Sequence, residues 1–357
     1  MLILACVSGH GFGHGSRVAA VLSALHRLEP SWRLVLSTPL PESFLRLAFA
    51  AVPFEHRPCR WDVGVLQADA LGADATATLL ALQALEQRLP AQLEQELAWV
   101  RAQDEPVLVL GDVPPAAADL AQGLGAPLVW MGNFGWEAIY RPMGGPFVAW
   151  ADQALERYRR GNALIRCPFA MPMDWGLPAE SVGLTSGQPQ LSSAQLDALV
   201  GPSPQKEHNV IVAFGGLGLS LAAEPFRRWP EHQFWSSDPQ LAAAAPNVRL
   251  IPPQLRPLEL MPRCGRILTK PGYSTFCEAM AAGLGIHLVH REGFAEAPVL
   301  ERALQQHAPH RLLSREQLQQ GDWQLDQPLI PAVSAPPARH GERQAAQLLR
   351  DWAISSL

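Results

Sequence analysis

Leu2-Ile3-Leu4-Ala5-Cys6-Val7-Ser8-Gly9-His10-Gly11-Phe12-Gly13-His14-Gly15-Ser16 runs from an unbroken apolar segment into a loop with glycine at every second position. An apolar run of this length reads as a strand buried on both faces, as in parallel sheets. After the loop, Val18, Val21, Leu22, Leu25 and Leu28 recur at spacings of three and four, the pattern of a helix with one apolar face, and Ser16 is its candidate cap. The unit is strand, glycine loop, helix. It occurs twice, because Asn209-Val210-Ile211-Val212-Ala213-Phe214 again runs into glycines at Gly215, Gly216 and Gly218.

Around these two units the chain alternates short apolar runs with amphipathic stretches. Leu34–Leu36, Val107–Leu110, Leu128–Met131 and Ala163–Ile165 read as further strands of the first half, and Thr76–Arg101 reads as a helix interrupted at Pro90. In the second half Gln233–Trp235, Val248–Ile251, Arg266–Thr269 and Ile286–Val289 read as strands. The pattern predicts an α/β chain of two doubly wound, Rossmann-like domains facing a cleft. The first is placed at 1–195 and the second at 196–340, with a last helix, within 341–357, crossing back onto the first.

Composition narrows the class. The 357 residues are 48% hydrophobic and carry a net charge of −5 with no long basic stripe, so neither nucleic acid nor an anionic membrane is indicated as partner. The N-terminal apolar run has no basic flank and is too short to span a bilayer, which predicts a cytoplasmic strand rather than a signal peptide or transmembrane segment. Cys6, Cys59, Cys167, Cys264 and Cys277 are scattered and odd in number, which supports neither a zinc site nor a disulfide framework. No metal or cofactor is expected. Only Lys206 and Lys270 are lysines.

Lys270-Pro271-Gly272-Tyr273-Ser274-Thr275-Phe276-Cys277-Glu278-Ala279-Met280-Ala281-Ala282-Gly283 outlines a nucleotide pocket. Gly272 lets backbone approach a ligand, Ser274 or Thr275 can cap the helix, and the free amides of its first turn favour an anion. Glu278, about one turn in, can accept two hydrogen bonds from vicinal ribose hydroxyls. The alternative is a capped core helix with Glu278 facing water. Gly215, Gly216 and Gly218 can contact a diphosphate by their amides, but the loop lacks the Lys-Ser/Thr ending of a P-loop. Arg291 and Glu296, in the loop after the strand Ile286–Val289, are expected sugar or phosphate contacts, and Ile251 joins the donor-side set.

The first glycine loop is not a dinucleotide fingerprint. His14 stands where a third glycine would be, and the second strand ends at Ser37-Thr38-Pro39 without an acid for an adenosine ribose. A histidine at a helix start is held neutral by the positive end of the macrodipole, so His14 is a candidate base for an acceptor hydroxyl. His10 competes for that role, and either ring can simply hydrogen-bond within the loop. Asp112 can orient His14, or it can cap the helix that Pro114 and Pro115 introduce. Trp130, Trp136 and Trp150 either stack on sugar rings or pack in the core.

Taken together these loops resemble the GT-B glycosyltransferases, in particular the peptidoglycan N-acetylglucosaminyltransferase group that uses UDP-sugars. The resemblance covers the whole chain and is strongest over Gly272 to Gly283, where it implies that Glu278 binds the uridine ribose; it likewise places His14 at the family's candidate base. The chain is also similar to the glycosyltransferase-like N-terminal region of plant arabinokinases, in Gly9-His10-Gly11-Phe12-Gly13-His14, Asn133-Phe134-Gly135-Trp136-Glu137-Ala138-Ile139-Tyr140 and Phe294-Ala295-Glu296-Ala297-Pro298. This puts His10, Gly11, Gly13, Asn133 and Trp136 on the acceptor side. The sugar-kinase half has no counterpart here, so kinase activity is not carried over. Ala295-Glu296 replaces the Asp-Gln pattern that holds donor sugar hydroxyls, and Gly285 the usual proline, so the donor sugar stays unassigned.

The resulting expectation is an inverting, metal-independent glycosyltransferase that moves a sugar from a nucleotide-diphospho-sugar to a hydroxyl acceptor of unknown identity. A nucleotide-sugar epimerase or hydrolase and a non-catalytic nucleotide-sugar-binding module are the alternatives on the same fold.

Overall fold

The computed structural model describes residues 1–66, 73–202, 205–214, 221–291 and 293–355. Gly215, Gly216 and Gly218 lie outside the described residues.

Two all-parallel sheets organise the chain. The first contains β1 (Leu2–Val7), β2 (Arg33–Ser37), β3 (Glu55–Arg57), β4 (Val107–Asp112), β5 (Leu128–Gly132), β6 (Ala163–Arg166) and β7 (Ala179–Ser181), in the order β3-β2-β1-β4-β5-β6-β7. The second contains β8 (Asn209–Ala213), β9 (Gln233–Ser236), β10 (Val248–Leu250), β11 (Arg266–Thr269), β12 (Gly285–Val289) and β13 (His310–Leu313), in the order β10-β9-β8-β11-β12-β13. Each is the doubly wound order, in which the strand order reverses once, and ligands bind beyond the strand ends at that reversal. In the first sheet the reversal lies between β1 and β4, whose register pairs Val7 with Asp112. In the second it lies between β8 and β11, where Ala213 pairs with Thr269.

All six residues of β1 are buried, which is why the strand carries no alternation of polar and apolar side chains. The Phe12–Leu28 helix lays Val18, Val21, Leu22 and Leu25 against the same core that receives Ala345, Ala346, Leu349 and Ala353 of the last helix, Gly341–Ser355. Arg350 Nε donates to Glu29 Oε1 at 2.6 Å beside this contact. The last helix thus packs on the first half. Among the described residues no helix is long and apolar enough to cross a membrane.

Several elements differ from the sequence reading. The first helix begins at Phe12, with Gly11 rather than Ser16 at its cap position, so His14 sits inside its first turn. The Ala75–Arg101 helix runs through Pro90 without a break. Leu82 and Leu85 before the proline and Glu96 and Val100 after it are buried, so packing on both sides holds the helix through the missing backbone bond. The short strands β3, β7 and β13 carry charged or polar residues, as in Glu55-His56-Arg57, and had no apolar signature to announce them.

Candidate functional site

The two reversal points face each other. At the first, Asp112 closes β4 with its side chain wholly buried, and His14 follows β1 on the opening turn of its helix. His14 Nδ1 lies 2.8 Å from Asp112 Oδ1. Asp112 caps nothing: the Ala117–Leu124 helix has Ala116 at its cap position and no side-chain cap bond. Its second partner is Arg17, one turn beyond His14 on the same helix, whose Nε donates to Oδ2 at 2.8 Å and whose Nη2 donates to Oδ1 at 2.6 Å. Burial alone would raise the Asp112 pKa, but the Arg17 guanidinium and the bond to His14 hold it below the usual carboxylate range.

Arg17 extends the network. Its Nη1 donates to Asn133 Oδ1 at 2.8 Å, and Asn133 Nδ2 donates to Glu296 Oε1 at 2.6 Å, which carries the chain of bonds into the second half. Glu296 is buried, and desolvation raises its pKa against the opposing pull of Asn133. Two further contacts join the halves. Ser274 Oγ donates to the Gly13 carbonyl at 2.7 Å, and Arg17 Cζ stands 4.7 Å over the Tyr273 ring, whose hydroxyl is 2.6 Å from Thr185 Oγ1.

His10 sits in a different environment from His14. Its ring stacks on Phe294 at 5.6 Å, meets Trp136 edge-on at 5.2 Å, and its Nδ1 accepts from the Val65 amide at 3.3 Å. Desolvation first, then the charges of His14, Arg291 and Lys270, push its pKa down to about 3. Trp136 is fully buried and donates Nε1–H to Asp62 Oδ2 at 2.8 Å, so its ring is a wall of the core. Trp130 is equally buried and donates to the Tyr158 carbonyl. Gly13 touches Ser274 through its carbonyl, while Gly11, at the cap position, has open space around its α-carbon.

On the second half the Tyr273–Ala282 helix has Gly272 at its cap position with no side-chain cap bond, so neither Ser274 nor Thr275 caps it. Ser274 commits its proton to Gly13; Thr275 is half-buried in the first turn. Among the described residues no side chain caps the first-turn amides of this helix, the condition an anion site requires. Glu278 is half-buried on this helix, and its carboxylate makes no hydrogen bond to a described residue. Desolvation raises its pKa to about 7, with Arg256 opposing and Glu259 adding to the rise. Lys270, at the end of β11, is brought down to about 8 by burial and by the Arg291 charge. Arg291 lies 4.3 Å over the Phe294 ring with its buried Nε unpartnered, and desolvation lowers its pKa too. Two desolvated cations side by side suit a polyanionic ligand. Ile251 is buried in the core, and its amide extends the sheet by donating to Ser236 O at 2.8 Å.

The structure thus brings together His14, Asp112, Asn133, Glu296, Gly13 and Ser274 at one cleft. Sequence reasoning missed Arg17, Asp62, Tyr273 and Phe294. Arg17 left one usable signal: it lies three residues after His14, on the same helix face, in a stretch otherwise occupied by core residues.

No family model matches the chain. In sequence, L-arabinokinase of Arabidopsis thaliana is 27% identical over 369 residues, an alignment that covers 98% of this chain and 34% of that protein. The chain therefore spans about a third of the length of this curated relative. Among solved structures, Medicago truncatula UGT71G1 complexed with UDP-glucose superposes with a TM-score of 0.60 at 13% identity, over 100% of this chain and 94% of that one. Phytolacca americana UGT2, complexed with UDP-2fluoro-glucose and pterostilbene, gives 0.61 at 14% identity over 99% and 94%. A UDP-glucosyltransferase from Polygonum tinctorium capable of glucosylating indoxyl gives 0.63 at 14% identity over 99% and 93%. With the two parallel sheets described above, these likenesses give the chain the GT-B fold over its whole length.

Proposed function

We propose that this GT-B chain is a glycosyltransferase that moves a sugar from a nucleotide-diphospho-sugar, a UDP-sugar first among them, to an acceptor hydroxyl, with inversion and without a metal ion. The observation that carries the reading is the 2.8 Å contact between His14 Nδ1 and Asp112 Oδ1 at the strand reversal of the first sheet. With Nδ1–H donated to the carboxylate, Nε2 is left as the basic nitrogen, and no described residue hydrogen-bonds it.

In this reading the acceptor oxygen attacks the anomeric carbon while its proton passes to His14 Nε2. The bond from the anomeric carbon to the diphosphate oxygen breaks, and the diphosphate leaves with the electron pair. Charge grows on that leaving group, and the amides at Gly272, Ser274 and Thr275 with the cations Lys270 and Arg291 are the groups that stabilise it. Glu278 takes the ribose hydroxyls. Glu296 is the remaining carboxylate within reach of a donor sugar. A single displacement by a base-activated hydroxyl inverts the anomeric centre, and the carboxylate beside His14, Asp112, is wholly buried with both oxygens on Arg17, which suits it to orienting the ring and not to attacking carbon. The solved relatives named above with UDP-glucose and UDP-2fluoro-glucose support the donor class.

Thermal-shift screening against UDP, GDP, dTDP and ADP tests the donor site, since a ligand of the native state raises the melting temperature. The reading expects a shift with one nucleoside diphosphate that Glu278→Ala abolishes. It is overturned if none of them shifts the wild type. Sugar released from the donor with no acceptor present, and undiminished by excluding acceptors, would instead assign a hydrolase or epimerase.

A further inference from the structure

The His14 and Asp112 pair poses a charge problem that the GT-B fold itself does not answer. Asp112 has no solvent exposure, and a carboxylate there is favoured to take a proton unless a countercharge is fixed beside it. If Asp112 took the proton from solvent it would donate to Nδ1, and the neutral ring would then carry its own proton on Nε2. If it took none but stood alone, it would draw a second proton onto the ring. Either way Nε2 would be occupied and useless as a base.

Arg17 is the group that removes both outcomes. It is itself buried, at 2% exposure, and meets both oxygens of Asp112 through Nε and Nη2 in the two-point geometry that fixes a carboxylate plane. Its Nη2 also stands 3.3 Å from His14 Nδ1; an arginine N–H only donates, so with Nδ1 protonated this is a close approach and not a hydrogen bond, and the shorter 2.8 Å contact assigns the Nδ1 proton to Asp112 Oδ1. The third arm, Nη1, ends on Asn133 Oδ1, and the orientation of that amide is fixed from the other side because Asn133 Nδ2 donates to Glu296 of the second half. The other titratable groups facing His14 are His10, Asp62 and Glu296, and Cys167 and Tyr273 lie beside Arg17. None of these meets Asp112 with a fixed positive charge.

We propose that Arg17 is a positioning residue: it holds Asp112 ionised and oriented, so that His14 keeps a single proton on Nδ1 and a bare Nε2, and Asn133 with Glu296 completes this arrangement only when the two halves are together. The functional meaning of the bare Nε2 rests on the reading of His14 as base. The tautomer itself does not.

The test is long-range ¹⁵N–¹H spectroscopy of the histidine rings in the full chain near neutral pH, with His14 assigned by its absence in His14→Gln. The wild type is expected to show His14 protonated at Nδ1 only. In Arg17→Met that signature is lost, to an Nε2–H or a doubly protonated ring, and Arg17→Lys, which keeps the charge, retains it. A wild-type ring with its proton on Nε2 or on both nitrogens overturns the proposal, and so does an unchanged ring in Arg17→Met. Should Arg17→Met fail to fold, the wild-type and Arg17→Lys spectra still decide. Once a donor and acceptor are in hand, Arg17→Met is expected to lower kcat about a hundredfold with little change in donor KM, the pattern of a lost base and not of a lost binding site. Absence of any nucleotide binding would end the glycosyl-transfer reading and leave the tautomer result standing; active transfer with a wild-type ring in Arg17→Met would end the positioning role alone.

Discussion

The hydroxyl of Ser274 donates to the carbonyl of Gly13 at 2.7 Å, so the first turn of the helix expected to hold the diphosphate rests directly on the loop that carries His14. A Cβ at Gly13 would stand 3.3 Å from that same oxygen, which is closer than ordinary contact. Ser274 is therefore spent, at least in its proton, on joining the halves.

For Ser274→Ala the expected outcome follows from that assignment. Loss of one partly buried hydrogen bond lowers stability by about 1 kcal/mol, while the backbone amides that would face a diphosphate are untouched. Urea denaturation and calorimetric titration with UDP check the pair of effects. A large loss of UDP affinity with no loss of stability would show that the hydroxyl serves the ligand instead.

Glu278 gives two opposite pH dependences. Its folded pKa is raised to about 7 from an ordinary value near 4.5, so between these values the native state holds the proton and the unfolded state does not. Its contribution therefore turns unfavourable as pH rises through that window and is fully unfavourable above about 7. Glu278→Gln should stabilise the protein at pH 8 by on the order of 1–2 kcal/mol, given its partial exposure, and leave it unchanged at pH 4. Nucleoside binding should run the other way, strengthening from pH 6 to pH 8 in the wild type as the carboxylate ionises. Denaturation midpoints and UDP affinities at the two ends of the range measure both.

His287 predicts loss of stability in acid. It is fully buried, with Arg266 Nη1 2.9 Å from Nε2 and the Trp323 carbonyl 2.8 Å from Nδ1, an arrangement that fits a neutral ring donating from Nδ1. Desolvation, with Arg266 next, lowers its pKa to about 3. The unfolded chain takes the proton near 6.5 and the folded one near 3, so stability is full above 6.5 and falls as pH drops toward 3. The loss is on the order of a few kcal/mol for this one group. His287→Gln, which can make both hydrogen bonds without titrating, should flatten the dependence of the urea midpoint on pH over that window.

How far the sequence discloses this molecule depends on where apolar residues fall. The long buried strands β1, β4, β5, β8, β11 and β12 are legible because burial on both faces leaves them almost wholly apolar. The three-residue strands β3 and β7 at the sheet edges, Glu55-His56-Arg57 and Ala179-Glu180-Ser181, carry charged and polar side chains and give no such signal. At the site, His14 and Asp112 are legible as residue types at strand ends. Arg17 is not, because nothing in sequence spacing states that a helix-borne cation is buried against a carboxylate 95 residues away.

Pro90 tests the misread helix. Within Ala75–Arg101 it removes one backbone bond to the carbonyl four residues earlier, yet the helix continues because both flanks are packed. Pro90→Ala restores the bond, and it is expected to stabilise by about 1 kcal/mol, less than the full helix-interior penalty because the packing is adapted to the proline. Chemical denaturation decides the sign. A destabilised variant would mean that the packing of Leu85 or Val100 depends on the proline's geometry.

His10 and His14 are separated by what their Nδ1 atoms do, and this separates their roles. His10 Nδ1 accepts from the Val65 amide at 3.3 Å, so the neutral ring carries its proton on Nε2 and presents a donor. Its pKa of about 3 keeps it neutral at any working pH, and Phe294 and Trp136 pack against its two sides. Gly64, with φ +75°, leaves room for it: a Cβ there would fall 2.3 Å from His10 Nδ1. His14 has the opposite arrangement, with Nδ1 turned to Asp112 and Nε2 left over. His10→Phe is accordingly expected to keep nucleotide binding and to retain transfer within about tenfold, whereas His14→Phe keeps binding and loses about a hundredfold or more. Single-turnover rates with a donor and acceptor identified for the wild type measure the difference. The reverse ranking would move the base to His10 and require its Val65 contact to break during catalysis.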